Sequence, residues 1–88
     1  MPARRDLADE ARQLRWQHTR LVVGSNIRRL RLSRGLTQEA LALESGLSRN
    51  QLIEVEHGRR GLMFERLVDL ADVLEAGVDE FFRPTSGE

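Results

Sequence analysis

Two helix-capping residues, Thr37 and Ser48, stand either side of the tripeptide Ser45-Gly46-Leu47, and this spacing constrains the fold more than any other feature. Thr and Ser side chains accept hydrogen bonds from the orphan amides of a helix's first turn, and Ser48-x-x-Gln51 has the form of a capping box. Two short helices are therefore predicted, over 37–44 and 48–56. Gly46 permits the positive φ of a tight turn between steeply crossing helices, and the small Ala42 keeps that crossing close. Leu41, Leu47, Leu52 and Val55 supply the apolar contacts. Residues 37–57 thus have the pattern of a helix-turn-helix.

Helical spacing continues on both sides of this unit. Leu7, Ala11, Leu14, His18, Leu21 and Val22 form one stripe, which predicts an amphipathic helix over roughly 5–21 with His18 packed. Val23, Ile27 and Leu30 predict a second helix over about 22–34, ended by Gly35 in a left-handed conformation. The pattern leaves open whether these two helices are continuous. Phe64, Leu67, Leu70, Ala71 and Leu74 predict a helix over about 63–75, and Val78 to Phe82 a closing turn. No apolar/polar alternation is long enough for a strand, so the chain reads as all-α. The composition from Pro84 onward favours a flexible tail over 83–88.

Eighty-eight residues suit one compact domain and leave little room for a large buried active site. There is no cysteine, hence no disulfide, thiolate zinc site or thiol nucleophile, and the natural setting is a reducing cytoplasm. No apolar run approaches a membrane span. Nothing has the spacing of a nucleophile constellation, a Gly-rich phosphate loop or a metal site, so neither catalysis nor a cofactor is expected.

The net charge of zero conceals strong segregation. Residues 1–60 hold 12 arginines against 7 acids and residues 61–88 hold 2 against 7, so the two parts carry +5 and −5. Arg12 to Arg34 contains seven arginines and no acid. Such clustering supplies a surface for a polyanion.

The family resemblance rests on Gly24-x-x-Ile27-x-x-Leu30-Arg31, Gly35-Leu-Thr-Gln-Glu, Leu41-Ala42, Gly46-Leu-Ser and Glu56-x-Gly58. Together these resemble the Xre/Cro/C1 repressor family over about residues 23–82. The resemblance implies a five-helix, lambda-repressor-like DNA-binding domain over 22–82, with residues 1–21 as an additional N-terminal helix. It also implies that helix 48–56 enters the major groove of double-stranded DNA while helix 37–44 crosses the backbone. Gln38 matches a glutamine that binds phosphate and braces the first residues of the reading helix. Arg31 and Glu56 match a pair that joins the first core helix to the reading helix.

Helical geometry tests the reading helix independently. With Arg49 at zero and about 100° per residue, Ile53, His57, Asn50 and Glu54 fall within about 140°, while Leu52, Val55 and Glu56 lie on the other side. Ser48, Arg49, Asn50, Ile53 and Glu54 therefore form a protruding face. Arg49 can grip guanine O6 and N7, Asn50 can pair with adenine, and Ile53 can touch a thymine methyl unless it is partly buried. Glu54 either accepts from cytosine N4 or repels phosphate and so disfavours wrong registers. His57, as a neutral imidazole, can donate to phosphate. Arg59 and Arg60 follow Gly58 in a loop suited to sequence-neutral backbone contacts.

One short half-site offers limited discrimination, which points to a homodimer on an inverted repeat. An autonomous repressor is the leading reading. A toxin-binding antitoxin, with the N-terminal helix over 1–21 engaging the protein partner, and a restriction–modification controller protein are its alternatives. Relatives of this type often enter the fourth helix through Pro and then Ser or Thr, but here the stretch is Gly61-Leu62-Met63-Phe64. Those apolar residues are either core or a patch for a second subunit or another protein. Trp16, nearly opposite the Leu14 stripe, is either covered by another surface, brought inward by a bend in the helix, or simply exposed.

Overall fold

The computed structural model describes residues 2–85, with side chains from Leu7 to Thr85. Four α-helices follow one another: α1 (Pro2–Ser33), α2 (Gln38–Ser45), α3 (Arg49–Glu56) and α4 (Phe64–Leu74), closed by a 3-10 turn at Val78–Phe82. No strand occurs among the described residues. The expected count of five core helices plus a separate N-terminal one is thereby corrected. The two segments expected over 5–21 and 22–34 are one uninterrupted helix, and the closing element is a single 3-10 turn. Of the expected tail over 83–88, residues 86–88 lie outside the described residues.

The ends of the shorter helices are set locally. Thr37 accepts from the Ala40 amide at 3.0 Å. Ser48 accepts from the Gln51 amide while Gln51 Oε1 accepts from the Ser48 amide, both at 3.0 Å, completing the capping box. Gly46 ends α2 at a φ of 80°, where a side chain would be strained.

Ile27 of α1, Leu41 of α2, Leu52 of α3, Leu70 of α4 and Phe81 of the closing turn are wholly buried together. The C-terminal half of α1 packs on α3 and the closing turn, and α2 packs on α3 and α4. A 32-residue helix is about 48 Å long. The principal extents are 50 × 27 × 18 Å, so the first half of α1 runs out beyond the domain. Among the described residues no helix, α1 included, is long and apolar enough to cross a membrane.

Three contacts fix α1 on the domain. At Gly24 the helix passes so close to the end of α3 that an added Cβ would stand 2.2 Å from the Val55 carbonyl oxygen. Seven residues on, the buried Arg31 guanidinium meets the buried Glu56 carboxylate through Nε at 2.7 Å and Nη2 at 3.0 Å. Arg31 Nη1 also donates to the Leu36 carbonyl at 2.9 Å, which holds the loop entering α2. Buried Asn26 donates from Nδ2 to the carbonyls of Phe81 and Arg83, each at 2.9 Å, pinning the closing turn to α1.

The stretch Leu62-Met63-Phe64 divides. Leu62 is half-buried against the core, whereas Met63 and Phe64 are 69% and 70% exposed and do not belong to it. Met63 occupies the cap position of α4 with no side-chain hydrogen bond, as the absence of a polar residue there implies.

Two outcomes follow from these crossings. Gly24→Ala, ordinarily favourable inside a helix, is expected to destabilise the fold by about 1–3 kcal/mol, because the methyl group meets backbone that must move. Denaturant unfolding reads this directly, and a stabilised variant would contradict the close crossing. Glu56→Ala strands the buried Arg31 charge and is expected to cost about 3–5 kcal/mol, whereas Arg31→Met combined with Glu56→Leu should recover much of that loss.

Candidate nucleic-acid interface

Helix α3 turns two different sides to its surroundings. Leu52 and Val55 are buried beneath it and Glu56 is locked to Arg31. Ser48, Arg49, Asn50 and His57 are exposed on the outer side, with Ile53 and Glu54 half-buried between them. The division expected from helical geometry is the one observed.

The outer side begins in a shallow cleft between the starts of α2 and α3. Arg31, Thr37, Gln38, Glu39 and Arg49 line it. Gln38 Nε2 donates to Glu56 Oε1 at 3.0 Å, so its bracing contact reaches the last residue of α3 and not the first ones. One amide hydrogen of Gln38 remains for another acceptor, and Arg49 stands at the cleft's edge. Thr37, read from the sequence only as a cap, borders the same space through its place at the start of α2.

Ser48 spends one lone pair on the Gln51 amide, leaving its hydroxyl hydrogen to donate outward. Asn50 lies on the exposed first turn of α3. His57 ends the helix with Nδ1 2.8 Å from the Ile53 carbonyl oxygen, a pairing that requires hydrogen on Nδ1. The remaining Nε2 of a neutral ring then accepts, so a contact from His57 to phosphate needs the protonated imidazolium. This alters the expectation of donation from the neutral ring.

Glu54 and Arg59 form an exposed ion pair, with Nε 2.5 Å from Oε2. The hydrogen bond from Arg59 holds the Glu54 carboxyl below the ordinary glutamate value. Partial desolvation opposes the shift, and the charges of Arg59, His57 and Arg60 add to it. The Glu54 carboxylate is thus already occupied at neutral pH. Arg60 is exposed beside it. Arg20 on α1 donates from Nε to the Gly58 carbonyl at 3.4 Å, tying the loop that carries both arginines to the long helix. Its role was invisible in the sequence, because the partner is a backbone atom 38 positions away.

The site residues therefore fall into a line: Gln38 and Arg49 at the cleft, Ser48, Asn50 and Ile53 along α3, then Glu54, His57, Arg59 and Arg60 at its far end. The acids Glu65, Asp69, Asp72, Glu75, Asp79 and Glu80 lie on or beside α4 and the closing turn, outside the helix-turn-helix.

The helix-turn-helix family model HTH_3 matches residues 27–81. An uncharacterized HTH-type transcriptional regulator, y4dJ of Sinorhizobium fredii, is 42% identical over 66 residues, covering 75% of this chain and 86% of that protein. Among solved structures, the restriction-modification controller protein C.AhdI from Aeromonas hydrophila matches with a TM-score of 0.72 and 35% identity, over 75% of this chain and 96% of that one. The clp gene regulator ClgR from Corynebacterium glutamicum matches with a TM-score of 0.70 and 32% identity, over 72% of this chain and 67% of that one. With its capped, outward-facing α3 and these relatives, the chain belongs to the HTH_3 family of Xre/Cro/C1-type helix-turn-helix DNA-binding transcriptional regulators.

Proposed function

We propose that the chain is a cytoplasmic repressor that binds an inverted-repeat operator as a homodimer, each copy laying α3 in the major groove. The observation that carries this reading is the exposed N-terminal turn of α3, where Arg49 and Asn50 stand free above a helix clamped from behind by Glu56, Arg31 and Gln38. Base readout demands side chains held by a rigid backbone, and charge-assisted bonds on the buried side supply that rigidity. Arg49 takes the guanine edge, Asn50 the adenine edge and Ile53 a thymine methyl. Gln38 and Ser48 donate to phosphate at the near end, with Arg59, Arg60 and protonated His57 at the far end. Glu54, engaged by Arg59, steers the loop and sets register in preference to reading cytosine.

A restriction–modification controller is the second reading. What favours it is that C.AhdI is matched over 96% of its length. The two readings share the same DNA chemistry and differ in which promoter is bound.

Selection of bound sites from random duplexes tests the proposal. An enriched inverted motif is expected from the wild type, and enrichment of no motif would sink specific recognition. Arg49→Ala should lose preference at one base position at a cost of about 1–3 kcal/mol, whereas Arg60→Ala should weaken all sequences alike and lower the salt slope by about one unit. The reverse pattern would exchange the two roles.

The Glu54–Arg59 pair has its own titration signature. Because the folded pKa lies below the unfolded one, its contribution to stability is complete above the ordinary glutamate value and is lost as the pH falls through the folded value. In Arg59→Ala the Glu54 carboxyl carbon, followed by NMR, should titrate at higher pH than in the wild type. An unmoved midpoint would refute the pairing.

A further inference from the structure

The projecting half of α1 carries an apolar stripe that its own domain covers only toward Leu21, which packs on Gly58. Leu7, Leu14 and Leu21 recur at seven-residue intervals with Ala11 and His18 between them. Leu7 and Leu14 are 66% and 64% exposed and Leu21 is 46% exposed. Along a continuous helix Leu14 and Leu7 lie about 140° and 160° from Ile27, the wholly buried contact of α1, and face away from the chain's own core, while Leu21 lies about 120° from it and packs on Gly58 at the domain's edge. Leucines at seven-residue spacing on an uncovered helix face form the seam of a two-stranded coiled coil, with leucine at d and the smaller Ala11 and His18 at a.

We infer that this stripe pairs with the same stripe of a second copy of the chain, in parallel, forming a short zipper that joins two DNA-binding domains. The inference rests on the homodimer proposed above and assigns its interface. Charge complementarity selects both the occupant and the direction. With leucine at d, Glu10 falls at g and Arg15 at the following e. A parallel pair sets Glu10 against Arg15 of the second copy and, by symmetry, Arg15 against its Glu10. An antiparallel pair brings the two Arg15 side chains together. The seam also has a defined end: the next d position is Arg28, exposed on α1, and two opposed arginines there part the helices where the domains begin. Two heptads are short for a free coiled coil, so the pairing gains most when one duplex holds both domains and raises their effective concentration.

The chain has no cysteine, so single cysteines in the full chain report the pairing. Leu7→Cys and Leu21→Cys are each expected to cross-link to their own counterpart under mild oxidation, because d-layer side chains of a parallel pair face each other. Leu14→Asp, a change at an exposed position, should leave the unfolding midpoint of the dilute monomer unchanged and weaken dimerisation by about tenfold or more in sedimentation. Glu10→Arg and Arg15→Glu should each weaken the dimer, and together restore it. Cross-linking only between Leu7→Cys and Leu21→Cys chains would mean an antiparallel pair and overturn the inference. A wild-type dimer that survives Leu14→Asp and yields no cross-link would place the interface elsewhere, leaving the homodimer standing and the zipper refuted. A chain that remains monomeric in solution and binds DNA as a single copy would remove both.

Discussion

The buried contact among Arg31, Glu56 and Gln38 is the interaction on which the rest of the molecule depends. Three helices meet in it: Arg31 comes from α1, Gln38 from the first turn of α2 and Glu56 from the last turn of α3. An ion pair this deep repays its desolvation only with good geometry and further hydrogen bonds, and both are present. The guanidinium forks onto both carboxylate oxygens and spends a third donor on the Leu36 carbonyl. No buried side-chain polar atom among the described residues is left without a partner. A purely apolar contact of the same size would allow α3 to rock or slide. The directional bonds fix its rotation, and rotation decides whether Arg49 and Asn50 face outward.

The same triad explains how so small a core holds α3 in place. Only eight residues make up α3, too few for stability on their own. Its beginning is fixed by the Ser48–Gln51 box, its underside by Leu52 and Val55, and its end by Glu56. Gly24 then lets α1 press backbone to backbone against that end. The loop beyond, with Arg59 and Arg60, is held through Arg20 on one side and Glu54 on the other. The residues proposed to read bases and those proposed to grip phosphate thus separate along one helix and its exit.

Sequence legibility follows the range of the interactions involved. The caps at Thr37 and Ser48 and the left-handed Gly46 act over three or four residues, and the boundaries of α2 and α3 could be read to within one position. The inner and outer sides of α3 follow from helical period alone. The join between the two expected N-terminal helices was not legible, because both halves have helical spacing and Gly24 serves a crossing partner, the end of α3, that lies far along the chain. Met63 and Phe64 are as apolar as any core residue, and only the rotation of α4, set by Leu67, Leu70 and Leu74, turns them outward. The direction of the His57 donor was hidden for a similar reason: it depends on the Ile53 carbonyl and leaves no mark in composition.

Continuity of α1 also resolves the apparent conflict between Trp16 and the leucine stripe. No bend is needed, since one straight helix can serve two clients on opposite sides. Trp16 shares the side of Val23 and borders a groove with Arg60, Gly61, Leu62 and Phe82, while the guanidinium of Arg12 sits 5.3 Å from its ring centre. Leu7 and Leu14 lie on the other side, largely exposed, and Leu21 on that side packs on Gly58. The indole, 54% exposed, therefore helps to seat the helix where it leaves the domain, next to the loop that carries Arg59 and Arg60. Any force that orients the projecting half of α1 is transmitted through this contact and through Arg20 to that loop. The loop that carries Arg59 and Arg60 is thus coupled to the projecting end of α1, and α3 is held to the same helix farther along, at Gly24 and Arg31.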